Sequence, residues 1–486
     1  MSDEVLHSRL GSLVEGYAPA SREALASLAV EGVVPSAVVA PGSVESLAAT
    51  VQMASELGYA VIPRGGGTKM DFGHPPSRAD IVVSMERLNR IVAHEPADQT
   101  ATVEAGITMA GLQAGLGKRG QFLPLDPPHG DAGTLGGVLA TNASGVLRTS
   151  FGTARDLVIG ARVVQADGTV VRSGGQVVKN VAGYDLNKMY IGSLGTLGIL
   201  AEVNLKLQPL PSAGRLLIGT MAGIGEAAEC AFRVMDSEIM PSFLEVASPA
   251  TRAILGGAAI GPETGSGADA GGDGLRADAS GAGSRATGGV GYLPDHQDVA
   301  VVAGMIGTDE TLDWQAGECE RLFRDSGAAE VINVDGETYS RVLDGMRAFP
   351  GGGLLPQGMG PGVTCRAGVT PDRVEALFRL ADEGCRRLSI GCGLLSHFAS
   401  GHVAFVFYRD GSFRESDLDG LASLVEDLRT TSEEQGVFVV EHAPAALKDR
   451  VGVWGSTLGN RHLMEMLKNR FDPKGTLNPG RFVEGI

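Results

Sequence analysis

A chain of 486 residues, 43% hydrophobic and 20% charged, has room for two or three domains with substantial cores. A formal net charge of −17 with no basic stripe argues against a nucleic-acid footprint, although a few local arginines can still bind small anions. The N-terminal MSDEVLHSRLGSLVEG has no basic region leading into an apolar run, and no apolar stretch reaches the roughly 18 residues of a membrane span, so the expectation is a cytoplasmic chain without one.

Helical spacing of apolar residues predicts a helix over Ser43–Leu57, stopped by Gly58, and a short strand over Ala60–Ile62. The turn PRGGGT at Pro63–Thr68 follows directly. Short strands are expected at Ile81–Met85, near Ile91 and at Ala101–Gly106, then a helix at Met109–Gly117. A second glycine cluster, GTLGGVLATNASG, spans Gly133–Gly145. Segments Asp156–Ala166 and Thr169–Arg172 read as a hairpin turning at Asp167-Gly168. A third glycine-rich run, VVKNVAGYDLNKMYIGSLGTLGIL at Val177–Leu200, leads into a strand at Ile199–Leu207 that Pro209 and Pro211 end. Beyond Pro211, amphipathic segments alternate with apolar strands such as VAVVAGMIG and HVAFVFY, the pattern of an α+β domain. Gly256–Gly291 is rich in Gly, Ala, Ser and Asp, cannot bury enough apolar surface to offset ordering entropy, and is read as a mobile surface loop. Cys230, Cys319, Cys365, Cys385 and Cys392 form no CxxC pair, so reduced core thiols are expected, with neither an iron–sulfur cluster nor a zinc ribbon. The chain closes on a helix and a Pro-Gly segment, HLMEMLKNRFDPKGTLNPGRF, and shows no internal sequence repeat.

Glycine costs backbone entropy, so three glycine clusters in ordered segments imply backbone closely approaching something large and flat. None of the three glycine clusters matches GxGxxG, and there is no GxxxxGK[ST], which disfavours a Rossmann nicotinamide site and a phosphate loop. PRGGGT can instead offer consecutive backbone N–H groups to a diphosphate, with the Thr68 hydroxyl beside them and Arg64 and Lys69 to neutralise charge.

Six segments in order, PRGGGT at Pro63, LPLDPP at Leu123, GTLGGVLATNASG at Gly133, FGTARDLVIGARVVQADGTVVRSGG at Phe151, the run at Val177 and FDPKGTLNPGRF at Phe471, carry a resemblance. The chain resembles the FAD-binding family of the vanillyl-alcohol oxidase and p-cresol methylhydroxylase (PCMH) type, and within it the glycolate oxidase FAD-binding subunits. The match is loose over about Leu216–Gly391. The resemblance implies an α+β fold: a helical segment at 1–34, a two-subdomain PCMH-type FAD-binding domain at 35–211, an α+β ferredoxin-like cap at 212–440 carrying the insert at 256–291, and a C-terminal segment at 441–486 returning to the flavin. It further implies that Arg64, Gly65, Gly66, Gly67 and Thr68 wrap the FAD diphosphate, and that Asp126 and Pro127 of LPLDPP belong to the same site. Thr134, Gly136, Gly137, Asn142, Ser144 and Gly145 would line the ribityl and diphosphate path. Gly183, Asp185, Gly195, Thr196 and Ile199 would close over the adenine and flavin sides, with Asn478 returning from the C-terminus. Many relatives attach FAD through a histidine near the first glycine turn. Thr68, Lys69 and Met70 stand there in this chain, so non-covalent FAD is expected.

The catalytic end departs from the family. Related 2-hydroxy-acid dehydrogenases carry a metal motif HxGDGNxH and then EHG, whereas this chain has HFASGHVA at His397–Ala404 and keeps only Glu441-His442. His402 would share a strand face with position 404 and could replace the missing ligand, but a site without metal is the expectation. The implied reaction oxidises a 2-hydroxy acid to a 2-oxo acid, with hydride passing from the α-carbon to flavin N5. His442 or His397 is the candidate base, because a histidine pKa lies near working pH. Arg347 or Arg366 is the candidate for the substrate carboxylate, which favours a planar bidentate cation. His94, His129 and His296 show no partner pattern and read as ordinary. Without cluster-binding cysteines, electrons are expected to leave for a second flavoprotein subunit and an iron–sulfur subunit, with any membrane association peripheral and through those partners. A self-sufficient D-2-hydroxy-acid dehydrogenase and a flavin-holding scaffold remain open alternatives.

Overall fold

The computed structural model describes residues 3–175, 185–251, 298–351, 362–455 and 459–486. Gly183, His296 and the insert at Gly256–Gly291 lie outside the described residues, as does most of the glycine run's first half.

The N-terminal part is built from two small sheets. In the first, β1 (Ala37–Val39), β2 (Val61–Arg64) and β3 (Ile81–Ser84) pair in parallel in the order β1-β3-β2. The helix Val44–Leu57 crosses over them. Ser43 and Ser46 cap its start reciprocally, and Gly58 ends it in the left-handed region, φ 75°. Its Leu47, Val51 and Ala54 are fully buried, and Leu6 and Leu10 of the N-terminal helix Asp3–Leu13 pack into the same core. The C-terminal segment completes this subdomain: Val61 and Leu477 form a bridge beside β2, with Val61 N donating to Thr476 O and Asn478 N to Val61 O.

The second sheet is antiparallel, in the order β4-β5-β9-β7-β8, from β4 (Ile91–Glu95), β5 (Thr100–Glu104), β7 (Val158–Val164), β8 (Val170–Gly174) and β9 (Ile199–Lys206). Two short strands, β6 (Gln121–Phe122) and β10 (Gln208–Pro209), pair separately. The expected hairpin is present, turning through Asp167-Gly168, but it begins at Val158 and not at Asp156. Asp156 closes a capping box with Thr153 and so belongs to the short helix Ala154–Leu157.

The cap is one eight-stranded antiparallel sheet in the order β14-β11-β13-β12-β16-β17-β15-β18. Its strands are β11 (Ala213–Met221), β12 (Phe243–Ala247), β13 (Val299–Gly307), β14 (Glu330–Val334), β15 (Val363–Gly368), β16 (Gly391–His397), β17 (His402–Tyr408) and β18 (Val437–His442). Helices Ile224–Met235 and Asp309–Asp325 sit within the first four strands, Val374–Leu388 and Glu415–Glu433 within the second four. Each half is therefore a βαββαβ unit of ferredoxin-like order, and the two join through their second strands, β12 and β16. The repeat is topological, with no matching repeat in the sequence. All four helices cover one face of the sheet, where Leu244, Val246, Leu394, Val403 and Phe405 are buried. The alternation of strands sends Phe243, Glu245 and Ala247 to the opposite face, where Phe243 and Ala247 pack with Val146 and Leu147 of the FAD-type domain. The functional side chains stand at that interface.

Candidate functional site

The three glycine clusters converge on a cleft of about 840 Å3 between the two N-terminal subdomains. Arg64, Gly65, Gly66, Gly67, Thr68, Thr134, Gly136, Gly137, Gly195, Ile199 and Asn478 line it, together with Lys69, Met70, Tyr190, Leu194 and Arg481. The glycines permit an approach that any side chain would block. A Cβ on Gly65 would lie 1.9 Å from Thr134 Oγ1, and one on Gly66 would lie 1.6 Å from the carbonyl oxygen of Ala132. Gly67 and Gly195 adopt φ of +78° and +68°, which L-residues rarely take. Asn478 Oδ1 and an Arg481 guanidinium nitrogen, both buried, have no hydrogen-bond partner among the described residues. Burial draws the Arg481 pKa down to about 10 against the opposing pull of Glu31. A cleft walled by bare backbone, with an unpaired amide oxygen and an unpaired guanidinium N–H inside it, fits a large polar anionic ligand such as FAD.

A second cleft of about 480 Å3 opens between this domain and the inner face of the cap. Lys69 lines both clefts. Ser144, Arg148, Arg366, His397, His402 and Glu441 are among its other walls. Strand register assembles the cap's contribution: His397 pairs with Glu245 on β12 and with His402 on β17, while Arg366 pairs with Ala404. A register shift between β15 and β18 sets Thr364 against His442 but Cys365 against Val440. The extra residue of this bulge lets both Glu441 and His442 reach the flavin-side loop, Glu441 to Lys69 at 3.1 Å and His442 Nδ1 to Asp71. Glu441 also meets Arg366 at 3.2 Å. Burial alone would raise its pKa, but Lys69 and Arg366 outweigh that and hold it at about 2.

The imidazoles are set differently. Nδ1 of His397 is 2.7 Å from Glu245 Oε2. Glu245 is fully buried, and burial pushes its pKa to about 7 against the pull of His397. An ionised Glu245 can only accept, so in that state His397 is the donor, from Nδ1. His402 Nδ1 is 3.0 Å from the Ser400 carbonyl, and burial together with Arg148 lowers its pKa to about 3. His442 falls to about 4 through burial, with Lys448 and Lys69 adding to the effect.

The donor set does not fit a divalent ion. Ala404 supplies no ligand, and Glu441 is already held by two cations. Among the described residues no group of three or more His, Cys, Asp and Glu side chains is placed to hold a metal.

The remaining predicted positions lie around these clefts. Asp126 is buried, accepts from Leu147 N and pairs with Arg347 at 3.4 Å; Arg347 also holds Asp344. A Cβ on Gly145 would lie 2.0 Å from the Asp126 carbonyl oxygen, so these two positions lock the loop that carries Ser144 and Arg148. Pro127 is buried beside them, and Asn142 ends the helix Leu135–Thr141 at φ 50°. Thr196 is buried and gives its carbonyl to Lys468, while Asp185 pairs with Lys188. His94 bonds Gln121. Lys69's role at Glu441, Arg148, Glu245 and Arg481 were not legible in the sequence, since each acquires its meaning from a partner distant along the chain. Arg481 alone had a signal, three residues beyond Asn478.

Comparison with known proteins follows the same division. A model described as an FAD binding domain matches residues 35–174, and one described as the C-terminal domain of FAD linked oxidases matches residues 210–482. The glycolate oxidase subunit GlcD of Bacillus subtilis is 33% identical over 221 residues, 46% of this chain and 47% of that protein. The glycolate oxidase subunit GlcE of Escherichia coli is 36% identical over 173 residues, 35% of this chain and 49% of that protein. The matched stretch thus spans about half the length of these curated relatives. The solved structure of p-cresol methylhydroxylase with substrate bound superposes with a TM-score of 0.71 at 15% identity, covering 99% of this chain and 96% of that one, a likeness of fold.

Proposed function

The chain belongs to the FAD-linked oxidases and has FAD as its cofactor, and from that premise we propose that it is the FAD-binding subunit of a complex oxidising a 2-hydroxy acid such as glycolate or D-lactate to the 2-oxo acid. The observation that carries this reading is the second cleft, which meets the flavin cleft at Lys69 and gathers Lys69, Arg148 and Arg366 in a chain of net charge −17. Such a local reversal of charge selects an anion. Bound FAD supplies the two-electron acceptor. The cationic side chains orient a substrate carboxylate, and His397, steered by Glu245, takes the hydroxyl proton at Nε2. His442 bonds to Asp71 and does not line the second cleft, so its role is to position the loop that bears Lys69.

The FAD is held without a covalent bond: Thr68 and Met70 line the cleft without a nucleophile suited to the isoalloxazine ring, and the Lys69 ammonium is committed to Glu441. Acid precipitation should therefore leave the yellow colour in the supernatant. Electrons pass onward to a second flavoprotein subunit and an iron–sulfur subunit, a reading supported by the likeness to two glycolate oxidase subunits. No helix among the described residues is long and apolar enough to cross a membrane. The test is anaerobic addition of glycolate and lactate to the purified yellow protein, alone and with its partners. Bleaching near 450 nm supports the proposal, and an unchanged spectrum with partners present refutes it.

A further inference from the structure

Behind the flavin cleft stands a buried cation that the oxidation itself does not use. Lys468, on the helix Arg461–Phe471, is 8% exposed and lines neither cleft. Its ammonium donates to Asp472 Oδ2 at 2.7 Å and to the carbonyls of Thr196 and Leu477 at 2.9 Å each, so three protons meet three acceptors. Asp472 is buried too and accepts from Thr476 N and Leu477 N. One ion pair therefore ties together the helix, the loop of the third glycine cluster and the C-terminal segment. A buried ammonium is costly, and methionine would fill much the same space without that cost, so packing alone does not account for the lysine.

The two carbonyls it grips belong to neighbours of flavin-lining residues. Thr196 follows Gly195, Leu477 precedes Asn478, and Leu194, Gly195 and Asn478 all line the flavin cleft. That wall is held in unfavourable backbone: Leu194 and Asn478 have φ of 52° and 43°, beside Gly195 at 68°. Residues other than glycine persist there only where their surroundings over-determine them. Asn478 Nδ2 donates to Leu194 O at 2.5 Å, and Asn478 N donates to Val61 O. Lys468 adds a tie between the same two segments, one residue further along on one side and one residue back on the other.

We propose that Lys468 is a positioning residue for FAD: by gripping the carbonyls of Thr196 and Leu477 it sets the Leu194–Gly195 wall and Asn478 at the separation the cofactor requires. It acts through backbone and not by contact with substrate. The inference rests on FAD as the cofactor and holds whichever hydroxy acid is oxidised.

The test titrates full-length apoprotein with FAD, read by the change in flavin fluorescence, and records the visible circular dichroism of the bound flavin at saturation. Lys468→Met keeps the stem and removes the ammonium; it is expected to raise the FAD dissociation constant about 30-fold or more and to change the flavin dichroism. Lys468→Arg keeps the charge, but a planar guanidinium cannot aim at three acceptors set around one atom, so a rise of about 3- to 10-fold is expected. Lys474→Met is the control: Lys474 lies in the same C-terminal segment but donates to Ser55 O on the helix Val44–Leu57, and its FAD affinity should stay within about twofold of wild type. The Tm of each apoprotein separates positioning from folding. A Lys468→Met protein with a lowered apoprotein Tm but wild-type FAD affinity and dichroism has a lysine that serves the fold alone, and overturns the proposal. An equal loss of affinity in Lys474→Met overturns it as well. Should Lys468→Met not fold, Lys468→Arg decides by the same readouts, and wild-type affinity and dichroism there overturn it.

Discussion

Substituting Gly66 by alanine should open the flavin cleft from its floor. Gly66 does not have positive φ, so alanine suits its backbone and the effect is purely steric. The new Cβ would lie 1.6 Å from the Ala132 carbonyl oxygen, where real contacts stay beyond 3.0 Å, so one segment must retreat by about 1.4 Å. The obstacle is backbone and cannot rotate aside. It is also pinned: Gly133 N donates to His129 O at 2.6 Å, and Gly136 N to Ala105 O at 2.7 Å. Overpacking of this kind costs about 1–3 kcal/mol. Because both segments wall the flavin cleft, that cost appears as an FAD dissociation constant raised about 5- to 150-fold. The assay is titration of apoprotein with FAD, with bound flavin per chain and Tm alongside. Gly130→Ala is the control on the same stretch, since a Cβ there meets nothing within 4 Å, and it should be neutral or slightly stabilising. Unchanged FAD affinity and Tm in Gly66→Ala would refute the claim that close backbone approach is what these glycines serve.

Lys448→Met should destabilise the fold by about 3–5 kcal/mol in urea, because it strands the buried Glu31 carboxylate and frees the carbonyls of Asp71 and Gly73; adding Glu31→Gln should recover part of the loss. Glu441 gives a pH test. Its folded pKa, about 2, lies below the ordinary 4.5, so its contribution is complete above pH 4.5 and is lost as pH falls towards 2. The stability gap between wild type and Glu441→Gln should be about 3 kcal/mol at pH 7 and should close through that window; a gap independent of pH would contradict the ion-pair account. Glu245→Gln removes the carboxylate charge that steers His397 and should slow flavin bleaching by substrate about 10- to 100-fold while leaving bound FAD unchanged, read by stopped-flow absorbance.

Much of the cofactor site was legible in the chain because its information is local. PRGGGT, GTLGGVLATNASG and GSLGTLG mark places where backbone must approach backbone or ligand, and only glycine meets that requirement, so the requirement is written into consecutive letters. Strands such as VAVVAGMIG and HVAFVFY were legible for a similar reason, since burial on both faces demands an uninterrupted apolar run. The paired βαββαβ units were not, because that topology constrains only the alternation of apolar and polar positions and not residue identity, and two such units need share no letters.

The substrate side was decided by tertiary structure. Lys69 reads as a phosphate neutraliser beside the glycine turn, but 372 positions later in the chain Glu441 claims its ammonium. His397 and His442 read as equal candidates for the base until strand register sets His397 opposite Glu245, 152 residues earlier. Arg148 is one arginine among many until folding sets it in the wall of the second cleft with Arg366 and His402. A glycine's steric permission belongs to the residue itself. A charge acquires its role from the burial and the counter-charge around it, and only folding fixes those.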